Sequence, residues 1–173
     1  MPGPPSVPGN APQFMAGAEG SVDALQDDNG QYIRMEVSKY ADVRLLQYQF
    51  NLPLNIEIES VSVHYEALVS TNSTTGLSFR LLAPSANSDN IPASVTSESP
   101  TVYETIFSTS FLPAGFNAEE INNPDFGLQI VLSTAGVQID FDYINLEIKY
   151  ITREGKLQIS QGQVELTSGK FNL

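Results

Sequence analysis

The chain's one histidine, His64, stands in an alternating stretch with Ser62 and Glu66 two residues to either side. A serine, an imidazole and a carboxylate in a hydrogen-bonded line make a nucleophile, a base and an orienting acid. On one extended strand, however, side chains at i and i+2 stand about 6–7 Å apart. That is too far for a proton relay, and His64 reads as a plain outward-facing strand residue.

The carboxylates form three pairs: Asp27 with Asp28, Glu119 with Glu120, and Asp140 with Asp142. Hard cations need several oxygen ligands. An EF-hand loop with Gly30 at its sixth position would put Leu25 first and Asp27 third, and leucine offers no ligand. Asp140 and Asp142 share one strand face. These acids read as solvated or loop-capping residues; a structural Ca2+ is the alternative, and no other cofactor is implied. Glycosidase chemistry would need a carboxylate pair across a cleft, and no segment groups aromatic residues to line one. Asn72-Ser73-Thr74 matches the glycosylation sequon and reads as a turn. Tyr32, Tyr48, Tyr65, Tyr143 and Tyr150 occupy strand positions, where packing is the default role. A sugar platform would require an exposed aromatic patch on one sheet face.

Composition narrows the field further. The 173 residues suit one domain, and a hydrophobic fraction of 41% is enough for a core. With no cysteine, disulfide scaffolds, thiolate metal sites and cysteine nucleophiles are excluded. A net charge of -12 has the wrong sign for neutralising phosphates, so no nucleic-acid partner is expected. No apolar run approaches the roughly 18 residues of a membrane span. The opening Met-Pro-Gly-Pro-Pro lacks the basic and apolar regions of a secretory signal, which leads us to expect a cytoplasmic origin.

Any site must be positioned by strands. Asp28-Asn29-Gly30 is turn chemistry. Tyr32 to Val37 suggests a strand, Leu46, Tyr48 and Phe50 alternate up to Pro53, and Ile56 and Ile58 share one phase. Val61, Val63, Tyr65, Ala67 and Val69 take the other phase, which a β-bulge would produce. Leu77 to Leu81, Val102 to Phe111 and Phe126 to Leu132 follow as strands. Val137 to Phe141 continues into Ile144 to Tyr150 with a second change of phase. Residues 83–100 form the longest irregular connection, and 113–120 a loop ending in one helical turn. About eight strands at this spacing predict an all-β, jelly-roll-like antiparallel β-sandwich over residues 21–150.

Both ends differ from this body. Residues 1–20 hold five of the 11 prolines and four of the 12 glycines, so an extended arm outside any ladder is expected. Phe14 and Met15 are its apolar anchors, either onto its own domain or onto a neighbouring subunit. Residues 151–173 carry three basic and two acidic side chains, against five and 18 in residues 1–150. This C-terminal β extension alternates at Leu157, Ile159, Val164 and Leu166 and adds Phe171 and Leu173. Two or three short strands make a poor core alone, so these residues are candidate subunit contacts.

Four pieces in order carry a resemblance: Asp28-Asn29-Gly30-Gln31-Tyr32, Leu46-Gln47-Tyr48-Gln49-Phe50 with Leu52-Pro53, Ile56 to Val63, and Asn122 to Gly127 before Ile139-Asp140. Together they resemble a jelly-roll domain recurring in phage structural proteins and large bacterial surface proteins, over residues 22–150. The resemblance implies a scaffolding or attachment role and brings no catalytic residues. This chain lacks the tryptophan expected near Phe111 to Phe116, where the phenylalanines stand instead.

The reading that follows is a non-enzymatic structural subunit that self-assembles or docks through its ends, with copies of itself or other virion proteins as partners. It would be a phage decoration, tail or neck, or fibre protein assembled in the host cytoplasm. The alternatives are an extracellular filament or surface-layer subunit polymerising by strand donation, and a carbohydrate-binding module with a glycan ligand.

Overall fold

In a computed structural model of the protein, residues 6–10, 12, 14–16, 25, 30–37, 42–70, 76–152, 157–160 and 163–166 are described. In chain order the elements are β1 (Ser6–Asn10), β2 (Phe14–Ala16), β3 (Ile33–Glu36), β4 (Asp42–Leu46), β5 (Ile56–Val69), β6 (Leu77–Leu82), β7 (Ile91–Ala93) and β8 (Thr101–Ser108). A short helix α1 (Ala118–Asn122) precedes β9 (Gly127–Leu132), β10 (Gln138–Thr152), β11 (Leu157–Ser160) and β12 (Gln163–Leu166).

Ten of the described strands form two five-stranded antiparallel sheets, and β11 and β12 pair with each other. One five-stranded sheet has the order β1-β10-β5-β8, with β3 also on β10; the other runs β2-β4-β9-β6-β7. Their inner faces meet in a core that includes Val61, Val63, Tyr65, Phe79, Leu128, Ile130, Phe141 and Ile144, all buried. The expected all-β sandwich is therefore the fold, with eight strands between Ile33 and Thr152.

The two changes of phase are bulges. In the β5–β10 ladder Lys149 faces Ser60 while Tyr150 faces Ile58, which leaves Glu59 as the extra residue on β5. Phe141 faces Ala67 while Ile144 faces Tyr65, so β10 carries an extra residue in turn. Each bulge returns the apolar set to the core after the slip. Tyr65 meets Phe79 of the other sheet edge-on at 5.0 Å and stacks at 5.5 Å on Tyr103, its cross-strand neighbour in the same sheet. Burial raises the Tyr65 pKa, a hydrogen bond with Thr105 acting against it, and burial pushes Tyr48 well above the ordinary tyrosine value.

Two expectations need correction. Proline and glycine do not keep residues 6–10 and 14–16 out of a ladder: β1 pairs with β10 and β2 with β4, so each adds an edge strand to one sheet. An edge strand tolerates Pro8 because one side needs no donor, and the register shifts between Val7 and Asn10. The run through Tyr48 and Phe50 is not strand, since β4 ends at Leu46 and both Gln47 and Gln49 are left-handed, at φ 61° and 55°.

Candidate functional site

His64 faces outward on β5, flanked across the sheet by Glu104 on β8 and Asn145 on β10. Its Nε2 lies 3.8 Å from Glu104 Oε1 and 3.4 Å from Glu147 Oε2. Neither Ser62 Oγ nor His64 Nε2 makes a hydrogen bond, so these two side chains are not linked as nucleophile and base.

Asp140, Asp142 and Glu120 are tied into the scaffold. Arg34 donates to Asp140 through Nε at 3.0 Å and a terminal nitrogen at 3.1 Å, joining β3 to β10. Buried Asp142 accepts the Gly30 N–H at 3.0 Å and so ties Gly30 to β10. Glu119 and Glu120 open α1, whose first N–H groups are capped by Asn117, and Glu120 accepts the Ser85 N–H at 3.1 Å. Among the described residues no group of three His, Cys, Asp or Glu side chains is placed to hold a metal ion. Asp27, Asp28 and the sequon at Asn72 lie outside the described residues. Among those described, no helix is long and apolar enough to cross a membrane.

A site does form at one end of the sandwich. The register puts Leu46, Leu82 and Gly127 side by side at the end of one sheet. Ile56 and Thr152 pair at the end of the other. Residues 47–55, 83–90 and 109–126 therefore gather at that end. Tyr48 and Phe50 turn inward, stack at 6.4 Å and meet Phe126, which lies 6.1 Å from Phe50 and 6.0 Å from Phe116. Asn122 clamps this layer: its Oδ1 accepts the Leu52 N–H at 2.7 Å and its Nδ2 donates to the Leu52 carbonyl at 2.9 Å. The side-chain amide thus stands in for a strand partner. Between the clamp and the exposed Gln47 and Gln49 lies a groove of about 220 Å³, lined by these two residues with Asn122, Asn123 and Pro124. Among the described residues no ionisable side chain lines it.

A second groove of about 230 Å³ at this end has a mixed lining, with Leu112, Pro113 and Phe116 beside Glu57, Thr109 and Asn117. Leu54, Ile151 and Phe111 are exposed at this same end, at 67%, 46% and 41%. Two larger cavities, of about 410 and 460 Å³, lie at the opposite end, the first lined by Glu36, Ser70 and Gln138 among others and the second by Gly76, Pro92 and Ser133 among others. An exposed aromatic patch on a sheet face is not found among the described residues, where Phe111 is the exposed ring and belongs to a loop.

Of the residues expected at subunit contacts, Met15 is half-buried against the core and Phe14 pairs with Leu46 in the β2–β4 ladder. Leu157 pairs with Leu166 and Ile159 with Val164 in a two-stranded hairpin. Phe171 and Leu173 lie outside the described residues. Gln47 and Gln49 were hidden in the sequence by the regular alternation of Leu46, Tyr48 and Phe50. The available signal was the weak strand propensity of two glutamines in a row otherwise free of β-branched residues.

No family model matches the sequence, and no curated protein matches it. A solved structure described as "CBM4 structure and function" is similar to this chain at 17% identity and a TM-score of 0.43, covering 78% of this chain and 93% of the other.

Proposed function

We propose that the chain is a non-catalytic carbohydrate-binding module that meets its ligand at the loop end of the sandwich. The observation that carries this reading is the gathering there of uncharged amide side chains beside part-exposed rings, on loops braced by a packed core. Amides both donate and accept, which suits hydroxyl-bearing ligands. No serine–histidine link or metal-binding cluster competes for the assignment among the described residues. The N-terminal strands complete the chain's own sheets in this structure, which removes one reason to reserve them for a neighbour. A glycan array probed with the full chain tests the reading, and an array without hits would sink it. An extracellular or cell-surface location suits such a module.

A second reading is favoured by Leu54, Phe111 and Ile151, three exposed large apolar residues at the end where β10 finishes and the C-terminal extension begins. Here the chain is an assembly subunit of a virion, filament or surface layer, docking through that end and through Leu157, Ile159, Val164, Leu166, Phe171 and Leu173. Light scattering across a concentration series separates the two. A growing or defined multimer that Leu54→Lys with Ile151→Lys dissolves supports assembly, and a monomer of 18.8 kDa at every concentration removes it.

A further inference from the structure

The groove at Gln47 and Gln49 carries more detail than a general binding surface. Both residues hold left-handed backbone angles, yet neither is glycine, asparagine or aspartate, the types that adopt that region readily. Tyr48 and Phe50 account for the alternation, because they must turn inward to meet Phe126. At position 47, whose side chain makes no hydrogen bond among the described residues, they do not account for glutamine, and folding alone would favour glycine there at less strain. Both glutamines are exposed and both line the groove.

The rest of the lining sets the chemistry. Asn122 is held in place by its two bonds to Leu52, and Asn123 uses its Oδ1 to accept the Asp125 N–H at 2.9 Å. Pro124 adds a small apolar face. Four amides and a proline ring, with no charge among them, match a ring whose rim carries hydroxyl groups and whose face carries C–H bonds. The volume of about 220 Å³ falls below the roughly 300–1,000 Å³ of drug-sized sites and has room within it for about one ring. Glu119, Glu120 and Asp125 stand on the adjoining segment, and the whole chain carries -12, so an anionic ring would be repelled.

We infer that this groove binds a single neutral hexose unit, such as the terminal residue of a glycan, and discriminates against uronic and sialic acids. The inference rests on the carbohydrate-binding reading and assigns its site and selectivity. The test is an NMR titration of the full chain with methyl glucosides, methyl galactosides, methyl mannosides and N-acetylglucosamine, alongside glucuronic acid and sialic acid. The side-chain NH2 signals of Gln47 and Gln49 are expected to shift with at least one neutral sugar, saturating in the millimolar range, and not with the acids. Gln47→Ala with Gln49→Ala should weaken that binding tenfold or more while the core amide spectrum stays folded.

Three results overturn the inference: no neutral sugar shifts these signals, the acids bind as well, or the folded double variant binds as tightly as the parent. If the parent and the double variant both bind glycans on an array, the site is wrong and the carbohydrate reading stands. If neither the array nor the titration detects binding, both fail together.

Discussion

Replacing Gln47 with glycine should make the protein more stable and a poorer binder at once. At φ 61° a residue with a Cβ holds a conformation that costs about 1–2 kcal/mol. Glycine removes this strain but gives the unfolded chain more freedom, returning about 0.4–1 kcal/mol. The Gln47 side chain is exposed and makes no hydrogen bond among the described residues, so little else is lost. The net gain is about 0.5–1 kcal/mol. For a chain of this length that is an increase in Tm of roughly 1–4 °C. Urea unfolding should show a higher midpoint at an unchanged slope. Gln47→Ala is the control, because it removes the amide and keeps the Cβ; it should show no comparable gain. Should the glycine variant prove no more stable than the alanine variant, Gln47 is not strained, and the case for its side chain being retained for binding loses its footing.

Three further outcomes follow from the same geometry. A Cβ on Gly127 would collide with the Leu45 carbonyl oxygen and lie 2.6 Å from Leu46 Cδ2, so Gly127→Ala should cost about 1–3 kcal/mol in thermal unfolding, because backbone cannot step aside as a side chain can. Asn122→Ala leaves both polar groups of buried Leu52 without their amide partner and should cost about 1–3 kcal/mol. Asn122→Asp, which keeps an acceptor for the Leu52 N–H but loses the donor to its carbonyl, should fall between parent and alanine. Tyr48 and Tyr65 have raised pKa values in the folded state, mainly through burial, so the folded protein holds these protons longer than the unfolded chain. The stability they contribute is complete below the unfolded value near 10 and is lost as pH rises from there through the folded values, by about 1.4 kcal/mol per pH unit for each residue. Tyr48→Phe and Tyr65→Phe should each flatten that alkaline loss in a pH series of denaturation curves.

Much of the fold was legible because burial on one face leaves a period-2 trace. The slips after Ile58 and Phe141 could be read as bulges from sequence alone, since a bulge is the means by which a long strand changes phase without exposing its apolar set. The first 20 residues were not legible in the same way. Proline content argues against a central strand, but an edge strand is free of that objection, and whether a free edge lies within reach is a property of the assembled sheet. The role of the carboxylates was hidden for a similar reason. Asp140 and Asp142 find Arg34 and the Gly30 N–H more than 100 positions away, and only the pairing of β3 with β10 brings those partners together.

The candidate site was hidden by the very rule that revealed the fold. Leu46, Tyr48 and Phe50 alternate as a strand does, and Tyr48 and Phe50 are buried as that pattern requires. Extended backbone is one way to turn every second side chain inward, and a left-handed residue at each intervening position is another. Pattern alone does not separate them, because both satisfy the same burial. The difference falls on the outward residues. In a strand Gln47 and Gln49 would lie along the sheet surface with no strain, and any polar residue would serve. In the observed conformation the chain stops pairing at Leu46, bends over the sandwich end and sets two amides against Asn122 and Asn123. At position 47 glutamine is a poor choice for that backbone and a good one for a hydroxyl-bearing ligand, and that conflict is the ground on which the groove is proposed as a binding site.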